Sequence, residues 1–303
     1  MYLASFTLPD EKTETGYIIS CGRDAYKSFM SCYPQDLYPF KVFPPKGLTK
    51  LTFEPLTILY GGNGSGKSTL LNVMAEKLGL EHASPANHTP YFEEYLSFCG
   101  YSLSPGNKKI PRESRIITSD DVFDFLLNIR TVNQGIDRKR EELFAEYKAS
   151  REDGFTLRSL EDYEELKRHN EARGMTKNAY TAKRLPQSLT AHSNGESAMA
   201  YFTDQIQGNA LYLLDEPENS LSASMQRELA AFLQDSARFF GCQFVISTHS
   251  PFLLSMKGAR IYDLDQVPAS PAKWTELKEM REFFALFKSY KEAFETAKSL
   301  DKA

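Results

Sequence analysis

The chain has 303 residues, 41% of them hydrophobic and 25% charged, which is enough apolar material for a sizeable core in one large domain or two modest ones. A formal net charge of -4 gives no global basic field, which argues against a surface that draws in nucleic acid or anionic membrane as a whole and leaves a local basic patch open. Cys21, Cys32, Cys99 and Cys242 form no C-x-x-C pair and no zinc spacing, the opening MYLASFTLPDEK has no basic segment ahead of an apolar run, and no stretch of about 18 apolar residues occurs. The expectation is a cytoplasmic protein with reduced thiols and no direct membrane insertion.

In chain order, MYLASFTL, GYIIS, YPFKVF and KLTFEPLTILY have β character and are broken by Pro and Gly clusters. They predict a small antiparallel β region that leads into one buried strand, Leu56 to Tyr60. That strand ends at GGNGSGKST, and the following STLLNVMAEKLGL has helical spacing at Leu70, Leu71, Met74 and Leu78. Strand, glycine loop and helix therefore follow in order.

The loop fits the G-x-x-x-x-G-K-S/T pattern at Gly61, Gly66, Lys67 and Ser68. By average composition such a match arises by chance in roughly one chain of this length in a hundred. Glycines let the backbone turn its N–H groups inward around phosphates, and the helix behind them offers the positive end of its dipole. Gly61, Gly62, Asn63, Gly64, Ser65, Gly66, Lys67, Ser68 and Thr69 are thus the predicted phosphate cradle of a nucleotide such as ATP. Lys67 supplies a point charge, and Ser68 supplies a hydroxyl for Mg2+.

Residues from Ser84 to Pro111 carry weak periodicity and predict an irregular segment. From Asp120 to Arg184 the chain is dense in both signs of charge, as in EELFAEYKASRED, which favours solvated helices. This stretch is either a solvated face or the place where a protein partner or nucleic acid is sensed. After Leu185, NALYLLDEP and CQFVISTHS predict buried strands with SMQRELAAFLQDSARFF as the helix between them, and strands alternating with helices imply a parallel sheet.

LYLLDEP ends an apolar strand with Asp215 and Glu216, at the carboxyl edge where open α/β sheets bind ligands. Because the chain turns there, with Pro217 fixing the turn, Asp215 is the candidate for the metal and Glu216 for the attacking water. His249 ends the strand in FVISTHSP, where an imidazole can donate to a γ-phosphate. In the tail, Met280, Phe283, Phe284, Phe287, Tyr290 and Phe294 stand at helical spacing within a stretch that reads mostly as one helix. The stripe is expected to pack on the protein's own core, with a partner surface as the alternative.

Taken together, GGNGSGKST, HSNGES, LYLLDEP and STHSP, in that order, resemble the motif set of soluble ABC-type ATPases, in the style of chromosome-maintenance and recombination enzymes. The resemblance implies an α/β P-loop fold with a mostly parallel sheet flanked by helices, an N-terminal antiparallel β region and an inserted α-helical lobe. On it the chain divides into 1–119 and 186–303, forming the core, with 120–185 as the lobe. It implies that Ser193 and Gly195 of HSNGES serve the γ-phosphate held by a second copy, hence an ATP-dependent homodimer in a head-to-tail sandwich, and hydrolysis of Mg-ATP with Glu216 as base and His249 as switch.

Departures from the transporter pattern are Asn194 and Glu196 in the signature, Ser222 in place of an Asp, and no Q-loop glutamine, for which Ser119 or Asp120 is the nearest equivalent. Tyr38 or Phe40 is the nearest aromatic for stacking adenine. The process implied is DNA maintenance, repair or phage defence. The energising subunit of a membrane transporter and an ATP sensor without turnover are the alternatives.

Overall fold

A computed structural model describes residues 1–20, 38–83, 89–152, 174–176 and 194–300. The elements in order are β1 (Leu3–Thr7), α1 (Glu11–Ser20), β2 (Lys50–Thr52), β3 (Leu56–Tyr60), α2 (Lys67–Leu78), α3 (Phe92–Phe98), β4 (Gly100–Leu103), β5 (Arg115–Thr118) and α4 (Ser119–Glu152). The remainder are α5 (Asn194–Gln205), β6 (Leu211–Asp215), α6 (Ala223–Phe239), β7 (Gln243–Ser247), α7 (Pro251–Leu254), β8 (Arg260–Asp263), β9 (Ser270–Ala272), α8 (Lys278–Ser289) and α9 (Lys291–Leu300). Two compact units emerge, one of Met1–Val122 with Ala198–Ala303 and one of Phe123–Ser197. In the second unit, Leu143 and Tyr147 are buried with Met175 against them, and the Tyr147 hydroxyl donates to the Met175 carbonyl at 3.0 Å.

In the first unit, a six-stranded sheet runs β5-β6-β7-β3-β8-β9, parallel throughout except for β9. Every residue of β3 and β7 is buried, as strands covered on both faces require. The register lines up the carboxyl ends: Thr118 pairs with Asp215, Asp215 with Ser247, Ser247 with Leu59, and Tyr60 with Asp263. Polar side chains therefore collect along one edge while the strands behind them stay apolar. The architecture is an α/β fold with a mostly parallel sheet flanked by helices, and a small antiparallel sheet, β2-β1-β4, accompanies it.

The two sheets share a core in which Leu3, Phe6 and Leu51 join Leu71 and Met74 of α2 and Leu213 and Val245 of the large sheet. A side chain also joins them: Gln243, fully buried, accepts from the N–H groups of Tyr2 (2.7 Å) and Leu3 (2.8 Å) and donates to the Leu3 carbonyl at 2.8 Å. An amide that satisfies both backbone groups of Leu3 spares them the cost of burial without a partner, about 1–3 kcal/mol each. Among the described residues no helix is long and apolar enough to cross a membrane. Cys99 and Cys242 are free and buried, while Cys21 and Cys32 lie outside the described residues.

Four segments differ from their sequence-based reading. GYIIS forms the last half of a helix instead of a strand, because Asp10 caps it, accepting from the Thr13 N–H at 2.9 Å, and Ile18 is buried from α1. YPFKVF is turn, since Lys41 has φ 65° and Pro44–Lys46 is a 3-10 turn, so no ladder runs through it. The segment expected to be irregular holds α3 and β4. The tail is two helices, and its aromatic stripe does not pack on the core: Met280 is buried, but Phe284, Phe287, Tyr290 and Phe294 are each 57–59% exposed. Leu277 and Met280 make the burial at the root of α8, and the apolar face beyond them is open.

Glu14 is 2% exposed, its Oε2 accepts from the Lys41 N–H at 2.8 Å, and its Oε1 is buried with no hydrogen-bond partner among the described residues. Burial, partly offset by the Lys41 N–H, pushes its carboxyl up to about 7. Between the unfolded value near 4.5 and about 7 the folded state keeps a proton that the unfolded state has lost, so stability falls as pH rises through that window. The loss sums to about 3 kcal/mol at about 1.4 kcal/mol per unit. Denaturation series at pH 4.5 to 8 should show this slope in the wild type and its loss in Glu14→Gln. Parallel curves for the two proteins would refute the burial of a charge at this position.

Candidate functional site

The glycine-rich loop leaves β3 at Tyr60 and enters α2 at Lys67, in the middle of the sheet. Gly64 and Gly66 have φ of 77° and 89°, the left-handed region in which a side chain is strained. A Cβ on Gly66 would also stand 3.0 Å from Val42 Cγ1, so the turn that replaced YPFKVF closes against the helix start. Gly66 is the N-cap and makes no side-chain cap, which leaves the first N–H groups of α2 free to meet an anion. Asp265 holds the loop's shoulder by accepting from the Gly62 N–H at 2.7 Å. Asn63, Gly64 and Ser68 are exposed, whereas Ser65 is buried with no partner for its hydroxyl among the described residues.

Lys67 is buried, and its three ammonium protons have three acceptors: Gly61 O at 2.6 Å, Gly62 O at 3.3 Å and His249 Nε2 at 2.8 Å. Its nearest carboxylate oxygen, Glu216 Oε1, lies 3.9 Å away, and the same oxygen lies 3.9 Å from His249 Nε2. The cation is thus folded back on its own loop, within reach of the edge where β6 and β7 end.

Asp215 ends β6, and its Oδ1 accepts from the Ser247 hydroxyl, while the Ser68 hydroxyl also bonds to its carboxylate. Burial raises this carboxyl above the usual range, and the two hydroxyls pull it back. Among the described residues no group of three or more His, Cys, Asp or Glu is placed to cage a metal. One carboxylate paired with one hydroxyl instead fits Mg2+, which takes few protein ligands beside substrate phosphates.

Glu216 follows with φ 48°, a left-handed conformation unusual for a residue with a Cβ. Its N–H donates to Ser247 O (3.0 Å) and Ser247 Oγ (3.2 Å), and its carbonyl accepts from the Asn219 N–H at 3.1 Å. Such strain, of the order of 1–3 kcal/mol, persists where surroundings over-determine it. It turns the carboxylate toward Lys67 and His249, with Asn219 Nδ2 donating to Oε2 at 3.2 Å.

Several contributors escaped the sequence reading. Glu218 accepts from the backbone N–H groups of His249 (2.7 Å) and Ser250 (3.2 Å), and burial raises its carboxyl. It ties the His249 loop to the acidic turn, and the third acid of DEPEN, two residues past Glu216, was its only signal. Glu279, on the first turn of α8, reaches His249 Nδ1 at 3.4 Å, and its N–H donates to the Tyr60 hydroxyl at 3.4 Å. Ser222 is the N-cap of α6, which accounts for a short hydroxyl residue at that place.

Of the remaining candidates, Gly195 is a buried residue in the first turn of α5 and belongs to the second compact unit, while Ser193 lies outside the described residues. Asp120 is exposed and Ser119 begins α4 directly after Thr118, the register partner of Asp215. Phe40 is excluded as a base-stacking platform because it is a core residue, stacked on Tyr17 at 5.4 Å and edge-on to Tyr95 at 5.0 Å. Tyr38 stacks on Phe92 at 5.8 Å and bonds through its hydroxyl to Thr69 and Asn72 of α2.

Residues 182–255 match the family model described as "AAA domain, putative AbiEii toxin, Type IV TA system". No curated protein matches the chain by sequence. Among solved structures, the chain is similar to the SMC head domain from Thermotoga maritima, at 15% identity and a TM-score of 0.39, covering 90% of this chain and 99% of that one. It is also similar to the Smc head domain with an extended coiled coil from Pyrococcus furiosus (14%, 0.37, 78% and 95%) and to the dimeric bacterial ABC transporter cassette MJ0796 (15%, 0.38, 76% and 90%).

Proposed function

We propose that the chain binds ATP with Mg2+ at Gly61 to Thr69 and hydrolyses it, closing as a homodimer in which Ser193 and Gly195 of one copy meet the nucleotide of the other. The observation that supports this most is the convergence of Lys67, the Ser68–Asp215 pair, Glu216 and His249 at adjacent strand ends, within one connected set of contacts. In this reading the loop N–H groups and Lys67 hold the β- and γ-phosphates, and Ser68 and Asp215 hold the metal, which neutralises phosphate charge when bound. Glu216 takes the proton of the attacking water, and His249 donates to the γ-phosphate as charge spreads over its oxygens.

The test is phosphate release by the full chain with ATP, with and without Mg2+, alongside molar mass by light scattering. Mg2+-dependent release with ATP-dependent doubling of mass is the expected result. Nucleotide that binds without turnover would replace hydrolysis by sensing, and absence of nucleotide binding would end the proposal.

A further inference from the structure

His249 presents two nitrogens to two different partners. Nε2 lies 2.8 Å from the Lys67 ammonium, which can only donate, so Nε2 must be the bare nitrogen that accepts. Nδ1 then carries the proton, and it faces Glu279 Oε2 at 3.4 Å. The other groups facing the ring are Glu216, at 3.9 Å from Nε2, and Tyr60, whose ring stands edge-on at 6.1 Å. Glu218 engages the histidine's backbone N–H and leaves the ring to these four.

This arrangement cannot serve a γ-phosphate unchanged. A phosphate oxygen needs a donor, and when Lys67 swings from its carbonyls to the phosphates it leaves Nε2 bare. Moving the ring proton from Nδ1 to Nε2 would aim an unprotonated nitrogen at a carboxylate, two acceptors in contact. Gaining a second proton makes both nitrogens donors, one to phosphate and one to Glu279.

We propose that Glu279 is a positioning residue for His249. It holds Nδ1 protonated, so that the imidazole accepts from Lys67 without nucleotide and becomes a doubly protonated donor when Lys67 turns to phosphate, the added proton coming from solvent. Glu279 is anchored for this role through its own N–H bond to the Tyr60 hydroxyl, on the strand that carries the phosphate loop. The inference rests on the nucleotide reading above and adds to it a proton coupled to the γ-phosphate.

The test is calorimetric titration of the full chain at pH 8 with Mg2+ and a β,γ-imido ATP analogue, in two buffers of different ionisation enthalpy, repeated with ADP. Subtracting ADP removes protons displaced by the metal. The expected result is uptake of about one proton per site for the analogue over ADP, since one ring nitrogen changes state.

Glu279→Gln keeps an acceptor and loses the charge, and should lose most of this uptake. In the same variant, ATP turnover should fall on the order of 10-fold, the scale of removing an orienting partner from a functional histidine, with KM little changed. Glu279→Ala should do the same or more. Melting curves matched to wild type would show that a change at this half-buried position leaves the fold intact. Equal uptake for analogue and ADP in the wild type, or unaltered uptake and kcat in both variants, would overturn the proposal. Wild type that takes up the proton but never releases phosphate would instead sink the hydrolysis reading and leave the role of Glu279 standing.

Discussion

Glu216→Gln is expected to slow phosphate release by about 10²- to 10⁴-fold, the usual worth of a positioned general base, while nucleotide still binds. In barrier terms that is about 3–5.5 kcal/mol. Glutamine keeps the shape of the side chain and can keep the bond from Asn219, so the left-handed turn at this position has no new reason to relax. It also deletes a negative charge 3.9 Å from both Lys67 and His249. Phosphate therefore arrives at a site with less repulsion, and affinity should stay equal or rise. With the cradle intact and the base gone, ATP-bound dimers should accumulate and be visible by light scattering. Single-turnover phosphate release measured beside nucleotide affinity separates the two effects. Turnover at the wild-type rate would mean that the water is activated elsewhere.

Lys67→Ala should act on binding itself and weaken nucleotide affinity about 10- to 100-fold, the range of a hydrogen bond to a charged group of 1.5–3 kcal/mol. The effect has two parts with opposite sign. The variant loses a cation that would meet the phosphates in ground and transition states alike. It also no longer has to break the three contacts that hold the ammonium on Gly61, Gly62 and His249, so the net loss is smaller than the bare Coulomb attraction suggests. Equilibrium titration with a fluorescent ATP analogue reads the difference. Because the lysine also satisfies two loop carbonyls, a melting curve must accompany it. Unchanged affinity in a folded variant would remove Lys67 from the site.

The placement of the glycine-rich loop, the Asp215–Glu216 turn and His249 at strand ends was legible in the sequence because each is a short run at the end of an apolar strand, with spacing that composition alone seldom produces. The parallel core was legible for the same reason: strands buried on both faces read as continuous apolar segments. Partners distant in sequence were not. Glu279 meets His249 across 30 residues and Asp265 meets Gly62 across 203, and neither carries a local signature. GYIIS has the β-branched composition of a strand, and the Asp10 cap that makes it helix stands ten residues ahead of its end. Phe40 misled because its position ahead of the loop suggested a platform, whereas its neighbours Tyr17 and Tyr95 close over it. The aromatic stripe shows the limit of periodicity, which marks an apolar face and is silent on what covers it.

The amide of Gln243 has a mechanical side. It sits at the first position of β7, clamped to the N-terminal strand, while the far end of the same strand carries Ser247 and, two residues on, His249. Four steps of extended chain separate Gln243 from Ser247 at the other end of β7, about 13 Å at about 3.3 Å each. β7 is thus a short stiff element, joined to the small sheet through Gln243 and held between β6 and β3 as far as Ser247, so the strand that anchors the first strand of the chain is also the one that delivers Ser247 to Asp215.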